Sequence, residues 1–442
     1  MDQSCLSEAR IELNMKLTVK NIARISSAEI ELGGITVISG SNGTGKSTIS
    51  RSLMTLSSVS ANIAELVQTE RINSVFHALR KSFMKHGADL IFPPRFLTDR
   101  KNDWAKWLSK DWWLSFDRPA KWIEEDNRLL VFPEDIRNRE NLLAILKDTQ
   151  KEIFSILERS DSEYVDFICR KSVSKSFKEQ VRPVFADGET KSKISIENNE
   201  EEISFTFLNG ELKAISGIGR SFNPSTLYVE PLNYVDFVNS PVDGVQDRYT
   251  ARRFCICNAI LHKPSDSGLS FEEADELNEA KKIISRIVKI IRGSLFDDNR
   301  GIRFSEGFAD QKHHPIEVLN IASGMKTMAA IVRMVENRSI RRGSMLIIDE
   351  PETNLHPDWQ VKFATFLVLL CRDLGVSLLM NTHSPYFLQA IWKFTKKASV
   401  PSKFYNMVQG DIPDSFKAED VSTNINCVFK AMSEPFDNLI GE

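Results

Sequence analysis

Residues 40–48 read Gly-Ser-Asn-Gly-Thr-Gly-Lys-Ser-Thr, three glycines running into a lysine and two hydroxyls. The spacing fits GxxxxGK[ST], in which glycines let backbone N–H groups approach phosphate oxygens closely. Lys46 can reach β- and γ-phosphates, and Ser47 can ligate Mg2+. Far downstream, Met345-Leu346-Ile347-Ile348-Asp349-Glu350-Pro351 ends an apolar run on two carboxylates. Asp349 is placed to hold magnesium, directly or through water, and Glu350 to activate a water for attack on a γ-phosphate. A third apolar run, Val376 to Thr382, leads to His383, which can hydrogen-bond a γ-phosphate and orient that water. ATP and Mg2+ are the expected ligands. Gly40, Ser41, Asn42, Gly43, Thr44, Gly45, Lys46, Ser47 and Thr48 hold the nucleotide, Ser47 and Asp349 the metal, and Glu350 and His383 act in catalysis.

These residues need a scaffold that the sequence also supplies. Gly34 to Ser39 reads as a buried strand and Ser47 to about Ser57 as a helix, so the glycine loop feeds a helix N-terminus with its positive dipole end. The run 345–348 suits a strand buried on both faces of a parallel sheet. Its acids then fall at the C-terminal strand end, where ligands bind in open α/β sheets.

The ordered set of motifs resembles ABC-type ATPases of the SMC, RecF and OLD lineage. The loop matches their Walker A, LIIDEP their Walker B, and NTHSP their switch-histidine segment. Glu352-Thr353-Asn354-Leu355-His356-Pro357 resembles their D-loop, and 17–22 with 28–32 resembles the antiparallel strand pair that opens RecF-like heads. The resemblance implies an α/β fold: an ABC-type P-loop ATPase head with a mixed α+β insertion. It places the head at 14–96 and 300–442 and a mostly helical lobe at 97–299. It also implies a homodimer or higher homo-oligomer, each ATP held between the cradle of one chain and the signature helix of another. That signature, LSGGQ or LSSGE in the family, reads Ile321-Ala322-Ser323-Gly324-Met325-Lys326 here. Ser323 and Gly324 are the candidate contacts. Ala322 lacks the expected hydroxyl, which implies slow turnover.

The middle of the chain carries no heptad arms. Residues 141–182 read as helical, 193–196 and 203–207 as strands with a turn at Asn209-Gly210, and 227–230 as a return to the main sheet. Ala280, Ile283, Ile284, Ile287, Val288 and Ile291 form one stripe of a helix from Phe271 to about Arg292. Five of the seven tryptophans (Trp104, Trp107, Trp112, Trp113, Trp122) interleave with Lys101, Lys106, Lys110, Arg118 and Lys121. Core packing, a protein interface and single-stranded nucleic acid all suit that composition. Arg248, Arg252, Arg253 and Arg338, Arg341, Arg342 are further basic clusters.

Net charge is −3, from 57 basic and 60 acidic residues, which gives no global pull toward nucleic acid or membrane. Six scattered cysteines without a CxxC pair argue against a zinc ribbon and suit a reducing cytosol. The apolar stretch 363–371 is short of the ~20 residues a membrane span needs, so a cytoplasmic protein is expected. Residues 384–442 hold no DxD pair of a Toprim nuclease, and His313-His314 has no supporting metal-ligand pattern. The expectation is therefore an ATPase whose state another protein reads: a sensor or scaffold controlling a separate nuclease or toxin. The ATPases of the Septu and PARIS anti-phage systems are the resembling cases. The alternatives are a RecF-like DNA-repair ATPase, a transporter subunit and an ATP-dependent scaffold.

Overall fold

The computed structural model describes residues 15–61, 63–91, 104–125, 130–132, 138–178, 180–198, 201–219, 225–230, 236, 238, 248–262, 277–278, 280–286, 293–298, 301–306 and 315–432. The chain divides into two compact units, one formed by 1–61 with 173–442 and the other by 62–172.

The first unit opens with β1 (Met15–Ile22) and β2 (Ile25–Leu32), an antiparallel pair whose buried residues largely alternate. β3 (Ile35–Ser39) is buried throughout and feeds helix α1 (Lys46–Ser60). The second unit follows. It contains α2 (Ile63–Lys85), the short pair β4 (Asp89–Ile91) and β5 (Leu130–Phe132), and helices α3 (Trp104–Trp107), α4 (Lys110–Leu114), α5 (Asp117–Glu125) and α6 (Arg139–Glu158). Helix α7 (Asp161–Phe177) carries the chain back. The first unit resumes with the meander β6 (Lys191–Asn198), β7 (Glu201–Leu208) and β8 (Glu211–Ser216), then β9 (Thr226–Val229) and α8 (Arg248–Leu261). A small sheet, β10 (Gly293–Asp298), β11 (Gly301–Glu306) and β12 (Ile316–Glu317), precedes α9 (Ser323–Glu336). The remaining elements are β13 (Met345–Asp349), α10 (Pro357–Leu374), β14 (Ser377–Thr382), α11 (Pro385–Ala398), β15 (Ser402–Gln409) and β16 (Phe416–Asp420).

Eleven strands form one sheet in the order β8-β7-β6-β1-β2-β16-β15-β3-β14-β13-β9. From β15 to β9 the neighbours are parallel, and from β8 to β2 they are antiparallel. β3, β13 and β14 are buried at every position, as near-continuous apolar strands of a covered parallel sheet are.

The units fall elsewhere than the expected boundaries at 96/97 and 299/300. β6 hydrogen-bonds to β1 over Met15↔Asn198 to Lys20↔Lys193, so the meander extends the eleven-stranded sheet of the first unit. The strands around 193–207, their turn at Asn209-Gly210 and the return of 227–229 beside β13 are as the sequence predicts. The helix expected over 271–292 and the side chains of Arg248, Arg252 and Arg253 lie largely or wholly outside the described residues, as do Lys101 and His313-His314. Among the described residues no helix is long and apolar enough to cross a membrane.

The tryptophan segment is core. Trp104, Trp107 and Trp113 are buried in the second unit, and the ring of Trp107 lies 4.5 Å from Trp122, 4.9 Å from Phe76 and 5.2 Å from Trp113, centroid to centroid. Trp113 Nε1 donates to Trp107 O at 2.8 Å. These three rings are enclosed and cannot stack on bases, while Trp112 and Trp122 are half-buried against the same cluster. Trp107→Ala is expected to destabilise the second unit by about 3–5 kcal/mol in urea denaturation, whereas Lys106→Ala stays within about 0.5 kcal/mol.

Candidate functional site

Each sequence-singled strand ends at the same edge. Asp349 pairs with Asn381, and Thr382 with Ser39, so the loops after β3, β13 and β14 leave the sheet side by side. The loop after β3 needs its glycines. Gly40, Gly43 and Gly45 have φ of 142°, 79° and 97°. A Cβ on Gly40 would stand 2.9 Å from Met407 Cβ, and one on Gly45 2.9 Å from Ile25 Cγ1. Thr44 Oγ1 ties the loop by donating to Ser41 O at 2.9 Å. Lys46 is buried and its Nζ donates to Gly40 O at 2.7 Å and Ser41 O at 2.8 Å. Burial pulls its pKa below the ordinary lysine value, and the carboxylates of Glu350, Glu352 and Asp349 pull the other way.

Asp349 is buried beneath this loop. Its Oδ2 accepts from Tyr228 Oη at 2.5 Å, and its Oδ1 accepts from Asn381 Nδ2. Asn381 Nδ2 also donates to Ser50 Oγ at 2.7 Å, joining three segments far apart in sequence. Burial pushes the Asp349 carboxyl above the usual range, against hydrogen bonds from Tyr228, Asn381 and Ser47 that favour the anion. The Oδ1 of Asn381 is buried with no partner. A buried carboxylate near a serine hydroxyl, with an unsatisfied oxygen one strand away, suits a hard divalent cation.

Glu350 turns the chain out of β13 with φ of 44°, a left-handed conformation held by its N–H donating to Asn381 O at 2.9 Å. Its side chain is partly exposed at the cleft. His383 Nδ1 lies 3.8 Å from Glu350 Oε1 and 3.3 Å from Glu352 Oε1. The cleft itself has a volume of about 700 Å3. Asn42, Gly43, Gly45, Lys46, Ser47, Thr48 and Glu350 line it, as do Arg24, Arg51, Gln180 and Arg182. The cations outnumber Glu350 four to one, which complements a polyanionic ligand.

The structure thus brings together the loop 40–48, Asp349, Glu350 and His383. Ser323 and Gly324 begin α9, with Ala322 as an N-cap that supplies no side-chain hydrogen bond. Gly324 lies against the turn after β13: a Cβ there would meet Leu355 Cδ2 at 1.8 Å. Lys326, one turn on, is buried and its Nζ pairs with Asp236 at 2.6 Å. Sequence reading missed Arg24, Arg51, Gln180, Arg182, Tyr228 and Asn381 as site residues. Of these only Arg51, four residues after Ser47 on the same helix, had a local signal.

A profile of the AAA ATPase domain family matches residues 15–388. A protein of Methanosarcina acetivorans, named "Putative ABC transporter ATP-binding protein", is 25% identical over 218 residues, 44% of this chain. The match covers 59% of that relative's length. Among solved structures, an SMC head domain from Thermotoga maritima gives a TM-score of 0.36 at 12% identity, covering 92% of this chain and 98% of its own. An Smc head bound to the C-winged helix domain of ScpA gives 0.41 at 12% identity, covering 92% and 97%. An Smc head with extended coiled coil, bound to the C-terminal domain of ScpA derived from Pyrococcus furiosus, gives 0.34 at 11%, covering 95% and 98%. The strand order and the loop geometry above carry the fold assignment.

Gly324→Ala is expected to cost about 1–3 kcal/mol through its clash with Leu355. In a double-mutant cycle by urea denaturation, adding Leu355→Ala should recover part of that loss.

Proposed function

The chain belongs to the AAA ATPase domain family, and on that premise we propose that its cleft binds Mg-ATP and hydrolyses the γ-phosphate, the nucleotide state serving as a signal to a separate protein. The observation that carries this reading is that the loops bearing Lys46, Asp349, Glu350 and His383 leave three in-register parallel strands at one edge, where Lys46 and Glu350 line the cleft. The backbone N–H groups of the loop 40–45 and the N-terminus of α1 take the β-phosphate, and Lys46 turns from its two carbonyls to the β- and γ-phosphate oxygens. Ser47 Oγ and Asp349 would hold the magnesium ion, which neutralises charge on those oxygens. Glu350 accepts a proton from the attacking water, and His383 orients that water against the γ-phosphate. Glu350 and His383 stand near enough to serve one water molecule.

We read Ser323 and Gly324 as the surface that closes over a nucleotide held by a second copy. Ala322 leaves the first N–H groups of α9 without a side-chain acceptor from the N-cap, consistent with a weakened closing contact and slow turnover. We read the chain, on its resemblance to stand-alone defence ATPases, as a sensor or scaffold subunit of a bacterial anti-phage system whose effector is a separate nuclease or toxin, with a RecF-like DNA-repair ATPase as the alternative.

Lys46→Ala should abolish ATP binding in a filter or fluorescence assay, and unchanged hydrolysis would overturn the assignment. Glu350→Gln should bind ATP with little loss but hydrolyse it at least about a hundredfold more slowly. It should also shift to a dimer in light scattering only with ATP. Tagged Glu350→Gln protein, expressed with its native neighbouring genes and purified with ATP, should carry a nuclease or toxin that phage challenge releases. A preparation carrying DNA and no protein would favour a repair ATPase instead.

A further inference from the structure

Glu352 sits two residues past the proposed base, in the turn between β13 and α10, and it is buried. A single oxygen, Oε1, takes three donors: Thr382 Oγ1 at 2.8 Å, His383 N at 2.8 Å and Ser384 N at 3.1 Å. All three come from the turn that carries His383, and the His383 ring nitrogen Nδ1 lies 3.3 Å from the same oxygen. The other oxygen, Oε2, is buried without a partner. A buried carboxylate with one bare oxygen is a costly way to join two turns, because its desolvation is only half offset. A second link runs beside it. Gln360 of α10 donates to Leu355 O at 3.0 Å and accepts from Ser384 Oγ at 2.6 Å. Ser384 in turn caps α11 by accepting from Phe387 N.

We propose that Glu352 is a positioning residue for ATP hydrolysis: it holds the turn of His383 and the turn of Glu350 as one unit and keeps the histidine hydrogen on Nδ1. The inference rests on the reading of the cleft as an ATPase site. Of the two carboxylates beside Nδ1, Glu352 lies nearer, at 3.3 Å against 3.8 Å for Glu350, so a hydrogen on Nδ1 faces Glu352 and Nε2 is left to accept from a water. Three donors bound to one rigid oxygen set the backbone from which His383 projects. Any movement of that turn must then be shared with residues 350–355.

The test uses the full chain with two conservative substitutions. Glu352→Gln leaves an acceptor oxygen where Oε1 stands, whereas Glu352→Asp keeps the charge but withdraws the acceptor by one methylene. For Glu352→Gln, kcat should stay within about threefold of the wild type. For Glu352→Asp it should fall about tenfold or more, with the Kd for Mg-ATP within about twofold in both. The ring nitrogens of histidine, labelled with nitrogen-15 and assigned by the signal lost in His383→Gln, should show hydrogen on Nδ1 in the wild type and in Glu352→Gln. In Glu352→Asp that signature should change. Wild-type kcat in Glu352→Asp, or hydrogen on Nε2 in the wild-type ring, would overturn the proposal. So would a Glu352→Gln as impaired as Glu352→Asp, because charge rather than acceptor position would then matter. If the wild type hydrolyses no ATP, the reading of the cleft fails, yet the ring signals still decide whether Glu352 holds His383.

Discussion

The site depends on the in-register parallel pairing of β3, β14 and β13. Strands in a sheet lie about 4.8 Å apart, so matched strand ends put three loops within side-chain reach of each other. The register Asp349↔Asn381 and Thr382↔Ser39 does this here, with no long-range fit needed beyond the sheet itself. The same pairing sets which face each residue uses. A slip of one residue in β13 would turn Asp349 away from Tyr228 and Asn381 and move its whole apolar set to the other face. Both faces of all three strands are buried, so such a slip would cost the fitted packing on each face and the buried partners of Asp349.

This geometry explains what could be read from the chain. The glycine loop, the acid pair and the histidine were legible because each is local: an apolar run followed at once by its functional residues. Gly40 and Gly45 were readable for the same reason, since their positive φ and close neighbours are demands of a turn. Tyr228, Asn381 and Ser50 were not, because their network exists only after β9, β13, β14 and α1 have come together. Arg24 and Arg182 reach the cleft because the β1–β2 turn is hydrogen-bonded to the segment 181–184, Ala23 N to Val181 O and Val184 N to Ala23 O. Pairing over so long a separation leaves no local mark. The joining of the meander β6–β8 to β1 was hidden on the same ground. The tryptophan segment left several readings open because composition alone cannot tell enclosed rings from presented ones.

The site holds unfavourable terms. Lys46 is charged against its burial, Asp349 is pushed toward protonation, and Glu350 holds a left-handed backbone. None of these serves packing. The first two would be relieved by a polyanion with a divalent cation, which would give Lys46 and Asp349 partners of opposite sign. Ligand binding and local stability are therefore coupled at this edge of the sheet, and the folded core around it bears the cost.

The same chain of contacts suggests how that coupling travels. Gly324 at the start of α9 lies under the Leu355 side chain, close enough that even a methyl group would collide. Leu355 N donates to Glu352 O, and Glu352 Oε1 accepts from His383 N. Four residues thus connect the helix proposed to meet a second nucleotide with the histidine proposed to orient the attacking water. Every link is a direct contact or a hydrogen bond of ordinary length, and none involves a flexible surface side chain. In the proposed reading, these contacts are the route by which a displacement of the His383 turn would reach α9 of the same chain.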